Sequence, residues 1–271
     1  MNELKVRLLS GVIYVSLLLL STLNPLLLWS ILYVFGLICV FEFSKLINLK
    51  SNLSYIIFSL LFVGFILINF YSDFFFSKTL TDLFLIATII LCLILVIKLF
   101  SNKNTIIISN GLILNTFYLT GGFVFLSLIS IYKKGFNPSI FLSCFILVWI
   151  NDSFAYLVGK KFGKIKLLPQ VSPKKTIEGF LGGIVFTCIG GVLIFHFTET
   201  LSLFLWIILS VVVSVIGTLG DLIESKFKRQ AQVKDSGSIM PGHGGLLDRL
   251  DSIIFASPFI YLFLSISVYV S

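Results

Sequence analysis

The chain has 271 residues, 58% of them hydrophobic and only 12% charged, with a mean hydropathy of +1.08. Soluble domains carry about 25% charged residues, so the polar surface is too small to cover a water-soluble globule and the bilayer must be the main solvent. The 20 basic and 12 acidic residues leave a net charge of +8, which is read below as a topology signal and not as a nucleic-acid interface.

In lipid, backbone polar groups must pair internally, which leaves helices or a closed barrel. Long, unalternated Leu/Ile/Phe/Val runs select helices. About 20 apolar residues cross a hydrocarbon core of roughly 30 Å. In chain order the pattern predicts nine spans: 8–23, 25–45, 53–71, 79–99, 107–131, 138–158, 176–197, 203–227 and 250–270. The first is short and forms a tight hairpin with the second around Asn24-Pro25. A cleaved leader is the rival reading for residues 1–22, but no small-residue cleavage site precedes Asn24-Pro25. The expected fold is an all-α polytopic integral membrane protein with a polar site at the cytoplasmic ends of the C-terminal helices.

With the N-terminus in the cytoplasm, only Lys78, Lys133 and Lys134 fall outside. The other 17 of the 20 basic residues, Lys103 among them, fall inside, as the positive-inside rule requires. Cys39, Cys92, Cys144 and Cys188 lie in apolar spans without metal-type spacing and read as small core hydrophobes.

The acids divide the chain unequally. Residues 1–137 contain Glu3, Glu42, Asp73 and Asp82, and read as a scaffold of transmembrane helices. Residues 138–271 hold the other eight acids, five of them (Asp221, Glu224, Asp235, Asp248, Asp251) in one short window. This second region reads as catalytic, within one integral membrane unit.

Asp152, in "NDSFAYLVG", sits inside a span, where a charge costs about 2.5–3.5 kcal/mol and faces a polar interior. A helix–helix hydrogen bond from Asn151 or Asp152 is the plainer explanation. "GTLGDLIESKFKR" sets Asp221, Glu224, Ser225 and Lys228 at i, i+3, i+4 and i+7, one face of a helix. These oxygens suit a hard cation such as Mg²⁺. A solvated helix end explains Glu224 and Lys228 but not the deeper Asp221. "LLDRLDS" brings Asp248 and Asp251 to the start of the last span, where acids also suit the helix dipole. If two helix ends bring Asp221 and Asp248 together, a divalent cation between them resolves their repulsion.

In "SPKKTIEG", Ser172 reads as an N-cap and Pro173 as the first helical residue. Lys174 and Lys175 then lie at a helix N-terminus, where a bound anion would satisfy them; positive-inside placement alone also accounts for them. Gly179 and Gly183 read as helix packing. The loop "VKDSGSIMPGHGGLLDRLDS" carries glycines that let backbone approach phosphate and form anion-binding nests. Lys228, Arg229, Lys234 and Arg249 add positive charge around it.

Residues 225–251, "SKFKRQAQVKDSGSIMPGHGGLLDRLD", resemble the signature of the phosphatidate cytidylyltransferase (CDP-diacylglycerol synthase) family, with Met240 in place of the usual Leu, Ile or Phe. "SPKKTIEG" and "NDSFAYLVG" are also similar to segments of that family. The resemblance implies transfer of CMP from CTP to phosphatidate, giving CDP-diacylglycerol and pyrophosphate. It implies a metal site of Asp221 and Asp248, with Mg²⁺ and a second, monovalent cation such as K⁺. Arg249 and Asp251 join Asp221, Lys228 and Asp248 as candidate catalytic residues. Lys174, Lys175, Ser225, Arg229, Lys234, His243, Gly244 and Gly245 are the candidate substrate-binding residues. A homodimer and a bacterial inner-membrane location, or its equivalent, are further expectations. A CTP-dependent kinase acting on a lipid alcohol and a secondary transporter are the rival readings; the transporter expects repeat symmetry, which the sequence lacks.

Overall fold

The computed structural model describes residues 3–71, 75–101, 110–133, 135–198 and 200–270. Asp73, Lys103, Lys134 and the first residues of the 107–131 span lie outside the described residues.

Each expected span corresponds to helix. α1 is Glu3–Ser21, α2 Pro25–Leu46, α3 Leu53–Tyr71 and α4 Phe75–Leu99. α5 (Gly111–Ile113), a π-helical stretch (Leu114–Thr120) and α6 (Gly121–Leu128) run on as one span. α7 is Pro138–Phe162, α8 Ile177–Phe197, α9 Leu203–Gln230 and α10 Leu247–Val270. Among the described residues, 8 helices are long and apolar enough to cross a membrane. α1 differs: its apolar stretch, Val6–Ser21, falls short of the others. The protein is an all-α, multi-pass integral membrane protein.

Local chemistry sets the helix ends. Asn24 accepts from the Leu26 amide (2.8 Å) and Pro25 occupies the first turn of α2, which places the α1–α2 hairpin where the Asn-Pro pair predicts it. Thr176 accepts from the Gly179 amide (3.1 Å) at the start of α8. Lys226, buried on α9, donates to the carbonyls of Lys98 (2.7 Å), Leu99 (3.2 Å) and Ser101 (3.4 Å), capping the C-terminal end of α4 where cations are favoured.

α7 packs on α8, α8 on α9, α9 on α10, and α10 on α6. Small residues permit these approaches. Gly179 lies against Ala155 and Gly159, and Gly183 against Asn151 and Ala155, so this pair is helix packing as expected. Gly220 meets Asp251 and Phe255 across the α9–α10 crossing, and Gly122 meets Ile254 on α10. Pro258 lies inside α10; the Ser257 hydroxyl bonds the carbonyl of Ile254, four residues before the proline, at 2.9 Å. Beneath the end of the bundle that carries the Gly-rich loop, Phe43, Tyr118, Phe227 and Phe255 form an aromatic floor, with ring centroids 5.2–6.2 Å apart.

Two antiparallel ribbons decorate the helices. β1 (Ile131–Tyr132) pairs with β2 (Gly135–Phe136), and β3 (Lys166–Leu168) with β4 (Ser172–Thr176). The second corrects the reading of "SPKK". Ser172 and Pro173 do not open a helix; they belong to a strand that pairs Leu168 with Ser172 and Lys166 with Thr176. Pairing outweighs the local cap signal, and α8 starts only at Ile177.

Candidate active site

α9 places Asp221, Glu224, Ser225 and Lys228 on one face, as their spacing predicts. Ser225 donates to Asp221 Oδ1 at 3.2 Å. Lys228 donates to Asp248 Oδ1 on α10 at 2.6 Å and also faces Glu224 one turn earlier on α9. Glu224 is fully buried, and its Oε1 has no hydrogen-bond partner among the described residues. Asp251 is buried one turn after Asp248, accepts from the Ser252 amide (2.7 Å), and lies within electrostatic range of Asp221 and Asp152.

β4 supplies the next partner. Neighbouring strand residues point to opposite faces. Lys175 turns inward and donates to Asp221 Oδ2 at 2.5 Å, while Lys174 is exposed on the other side. Burial pulls the Lys175 ammonium down, but the Asp221 carboxylate, their hydrogen bond, and Asp152 and Asp251 behind it hold it above the ordinary lysine range. The lysine pair is therefore split: one joins the carboxylates and one does not.

Asn151 and Asp152 also divide. Asn151 Oδ1 accepts from Ser214 (2.5 Å), and its Nδ2 donates to Thr218 (3.4 Å), tying α7 to α9. Asp152 keeps exposed surface and faces Lys175 and Asp221 electrostatically.

The Gly-rich loop closes over Asp248. Asp248 Oδ2 accepts from the Gly245 amide (2.8 Å), the Ser236 amide (2.9 Å) and the Ser236 hydroxyl (3.0 Å). Gly242 and Gly244 adopt φ of +75° and +87°, backbone that other residues rarely tolerate. On the outer side of the loop, Arg7, Lys234, His243, Gly244 and Arg249 line a cleft of about 680 Å³. Arg249 donates to the His243 carbonyl at 2.7 Å. Burial and the neighbouring Arg249 and Arg7 push the His243 imidazole below its usual value, so it is neutral at neutral pH.

Two of the candidate substrate-binding residues stand away from the cleft. Gly245 is buried behind the cleft and its N–H is committed to Asp248, so it is no open anion nest. Arg229 points away, donating to the carbonyls of Val171 (3.4 Å) and Val233 (3.3 Å) beside a separate hollow; its geometry braces the β3–β4 turn. Conversely, the first half of the chain reaches the site through residues that spacing did not single out. Arg7 lines the cleft, Ser10 meets His243 Nδ1 at 2.7 Å, and Glu42 binds the loop. Glu42 carries the same signal as Asp152, a carboxylate inside an apolar span.

Asp152, Asp221, Glu224, Asp248 and Asp251 thus share two ammonium groups, Lys175 and Lys228. Among the described residues no three acidic, His or Cys side chains converge as a ready-made metal site; Lys228 stands between Glu224 and Asp248, and Lys175 is paired with Asp221. The donor set nevertheless fits a hard cation: the oxygens are carboxylate and hydroxyl, and carboxylates outnumber their counter-charges.

The sequence profile of the cytidylyltransferase family matches residues 5–267. The chain belongs to this family. Among its relatives, phosphatidate cytidylyltransferase from Bacillus subtilis is 49% identical over 129 residues, 47% of either chain. The same-named protein from Staphylococcus aureus is 49% identical over 125 residues, 45% of this chain and 48% of the relative. That from Staphylococcus haemolyticus is 46% identical over 124 residues, again 45% and 48%. The aligned stretch spans about half the length of these cytidylyltransferases.

Proposed function

We propose that this chain is a phosphatidate cytidylyltransferase. An oxygen of the phosphatidate phosphate attacks the α-phosphate of CTP, the bond to the β-phosphate breaks, and pyrophosphate leaves as CDP-diacylglycerol forms. The observation that carries this reading is a cluster of carboxylates near the ends of apolar spans, with Asp248 adjoining the Gly-rich loop that lines a cationic cleft. The cleft of Arg7, Lys234 and Arg249 suits a polyphosphate, and the bilayer delivers an anionic lipid to the same depth.

Phosphoryl-type transfer needs positioning and charge stabilisation more than covalent protein chemistry. Arg249 and Lys234 orient the nucleotide phosphates, and His243, neutral and with Ser10 on one ring nitrogen, offers hydrogen bonding without added charge. Lys175, placed between Asp221 and Asp152, can follow a lipid phosphate that approaches from the bilayer side. Asp221 and Asp248 would hold Mg²⁺, with a monovalent cation such as K⁺ nearby. A bound divalent ion supplies charge neutralisation for two anionic substrates. Catalysis on the cytoplasmic face of a bacterial inner membrane, by a homodimer, completes the proposal.

The test is purified protein in detergent with CTP, phosphatidate and Mg²⁺, the products being identified by mass spectrometry. CDP-diacylglycerol with pyrophosphate is expected; a phosphorylated lipid with CDP would overturn the reading in favour of a kinase. For sidedness, Ser238→Cys in the exposed loop should react with an impermeant thiol reagent only in inverted vesicles. Reaction from outside intact cells would place the site on the wrong face.

A further inference from the structure

Among the described acids of the first half, Glu42 is the more deeply buried, 1% exposed, on a helix that is otherwise apolar along most of its length. It has no lysine or arginine partner among the described ion pairs. Its oxygens instead collect donors from the far end of the chain. Oε2 accepts from the Leu247 amide (2.8 Å) and the Ser236 hydroxyl (3.3 Å), and Oε1 from the Leu246 amide (3.2 Å).

Leu246 and Leu247 stand at the start of α10, where helix amides lack intrahelical acceptors and the dipole favours an anion. Glu42 therefore caps α10 from another helix. Charge-assisted bonds of this kind are roughly twice as strong as neutral ones. The hydroxyl of Ser236, which faces Glu42 Oε2, lies equally within reach of Asp248 Oδ2 at 3.0 Å. Glu42, Ser236 and Asp248 so form one chain of contacts from α2 to the carboxylate at the heart of the site.

Two glycines exist to let this chain close. A Cβ on Gly237 would overlap Glu42 Oε1 and Cδ, and a Cβ on Gly245 would overlap Ser236 Oγ and Glu42 Oε2. Neither residue has a positive φ among the described residues, so turn geometry does not explain them. The close approach of the Glu42 carboxylate does.

We propose that Glu42 is a positioning residue for the transfer reaction, fixing the Gly-rich loop and the first turn of α10 so that Asp248 presents its carboxylate in one orientation. This rests on the reading of Asp248 as a cation-binding residue. The region that looked like scaffold thereby sets the geometry of the catalytic one.

The test uses full-length protein in detergent, as wild type, Glu42→Gln, Glu42→Ala and Ser236→Ala, with two readouts. Hydrogen exchange of the 236–248 segment needs no activity. Glu42→Gln should raise exchange at Gly245, Leu246 and Leu247 by about tenfold, the scale of one lost charge-assisted hydrogen bond, with exchange in α7 and α8 unchanged. Turnover against Mg²⁺ concentration should show a higher half-saturating Mg²⁺ and a lower kcat, with the KM for CTP within about twofold, a split that loss of folded protein cannot produce. Ser236→Ala should move both readouts the same way but less.

Unchanged exchange in folded Glu42→Gln protein would overturn the anchoring. Loss of protection across the whole chain, or a lower melting temperature with unaltered Mg²⁺ dependence per folded molecule, would reduce Glu42 to a fold-stabilising residue and overturn the positioning claim. If wild-type protein makes no CDP-diacylglycerol, the functional reading fails while the exchange result still decides whether Glu42 anchors the loop.

Discussion

Asp221 and Asp248 face each other's helices yet are held in opposite ways. Asp221 is partly open, with 29% of its side chain exposed, and is gripped by Lys175 from a strand and Ser225 from its own helix. Asp248 has 5% of its side chain exposed and is gripped by Lys228, two amides and a hydroxyl. The first is a carboxylate able to exchange its partner; the second is fixed before any ligand arrives. The two carboxylates thus give the site one side pre-set and one side yielding, which is what the proposed transfer between two anionic substrates needs.

The sharpest way to break this comparison is charge removal. Asp221→Asn and Asp248→Asn should each lower turnover about 100-fold or more, the scale of a preorganised electrostatic contact. Only Asp248→Asn should also lower the melting temperature clearly, since only it sits in a closed network. Equal thermal loss in both variants would erase the distinction.

The lysines should differ next. Lys228→Met leaves buried Glu224 without its ammonium partner and strips Asp248 of its counter-charge, and should cost about 3–5 kcal/mol. Lys175→Met removes a half-open pair worth about 1 kcal/mol or less. Denaturation in detergent measures both, and a larger loss for Lys175→Met would reverse the assignment of fixed and yielding sides.

Titration sharpens the yielding side. Because the Lys175 ammonium is held above its ordinary range, the folded state keeps its proton more tightly than the unfolded one. The stabilisation is complete below the unfolded lysine value of about 10.4 and is lost as pH rises through the higher folded value. The gap in melting temperature between wild type and Lys175→Met should therefore stay constant from pH 7 to 9. A gap that closes within that window would show the pair titrating early.

The smallest effect belongs to Lys174. Exposed on the opposite face of β4, Lys174→Ala should keep turnover within about twofold of wild type, since surface substitutions of this kind cost little. A loss matching that of Lys175→Met would mean that β4 presents the other face to the site.

Much of this was legible in the sequence because periodicity is local. The i, i+3, i+4, i+7 set on α9 and the Asp248–Asp251 turn on α10 needed only helical spacing, and both lie where that spacing puts them. The Asn24-Pro25 hairpin was equally local. What failed was decided by distant chain. The Ser-Pro-Lys-Lys stretch carries a helix-start pattern, but pairing with Lys166–Leu168 made it a strand. Gly245 has the composition of a phosphate loop, but its amide is taken by Asp248. Glu42 binds amides more than two hundred positions away, a contact no spacing rule reaches; only its isolation in an apolar span pointed to it.

The central claim is that Asp221 and Asp248 act as one cation-binding unit, and its most direct measurement is turnover against Mg²⁺ concentration for Asp221→Asn, Asp248→Asn and the double variant. Residues acting as one unit share a single effect. The account predicts that each single variant loses most turnover at limiting Mg²⁺ and that the double falls hardly further. Near-normal turnover in either single variant, or losses that multiply in the double, would contradict it.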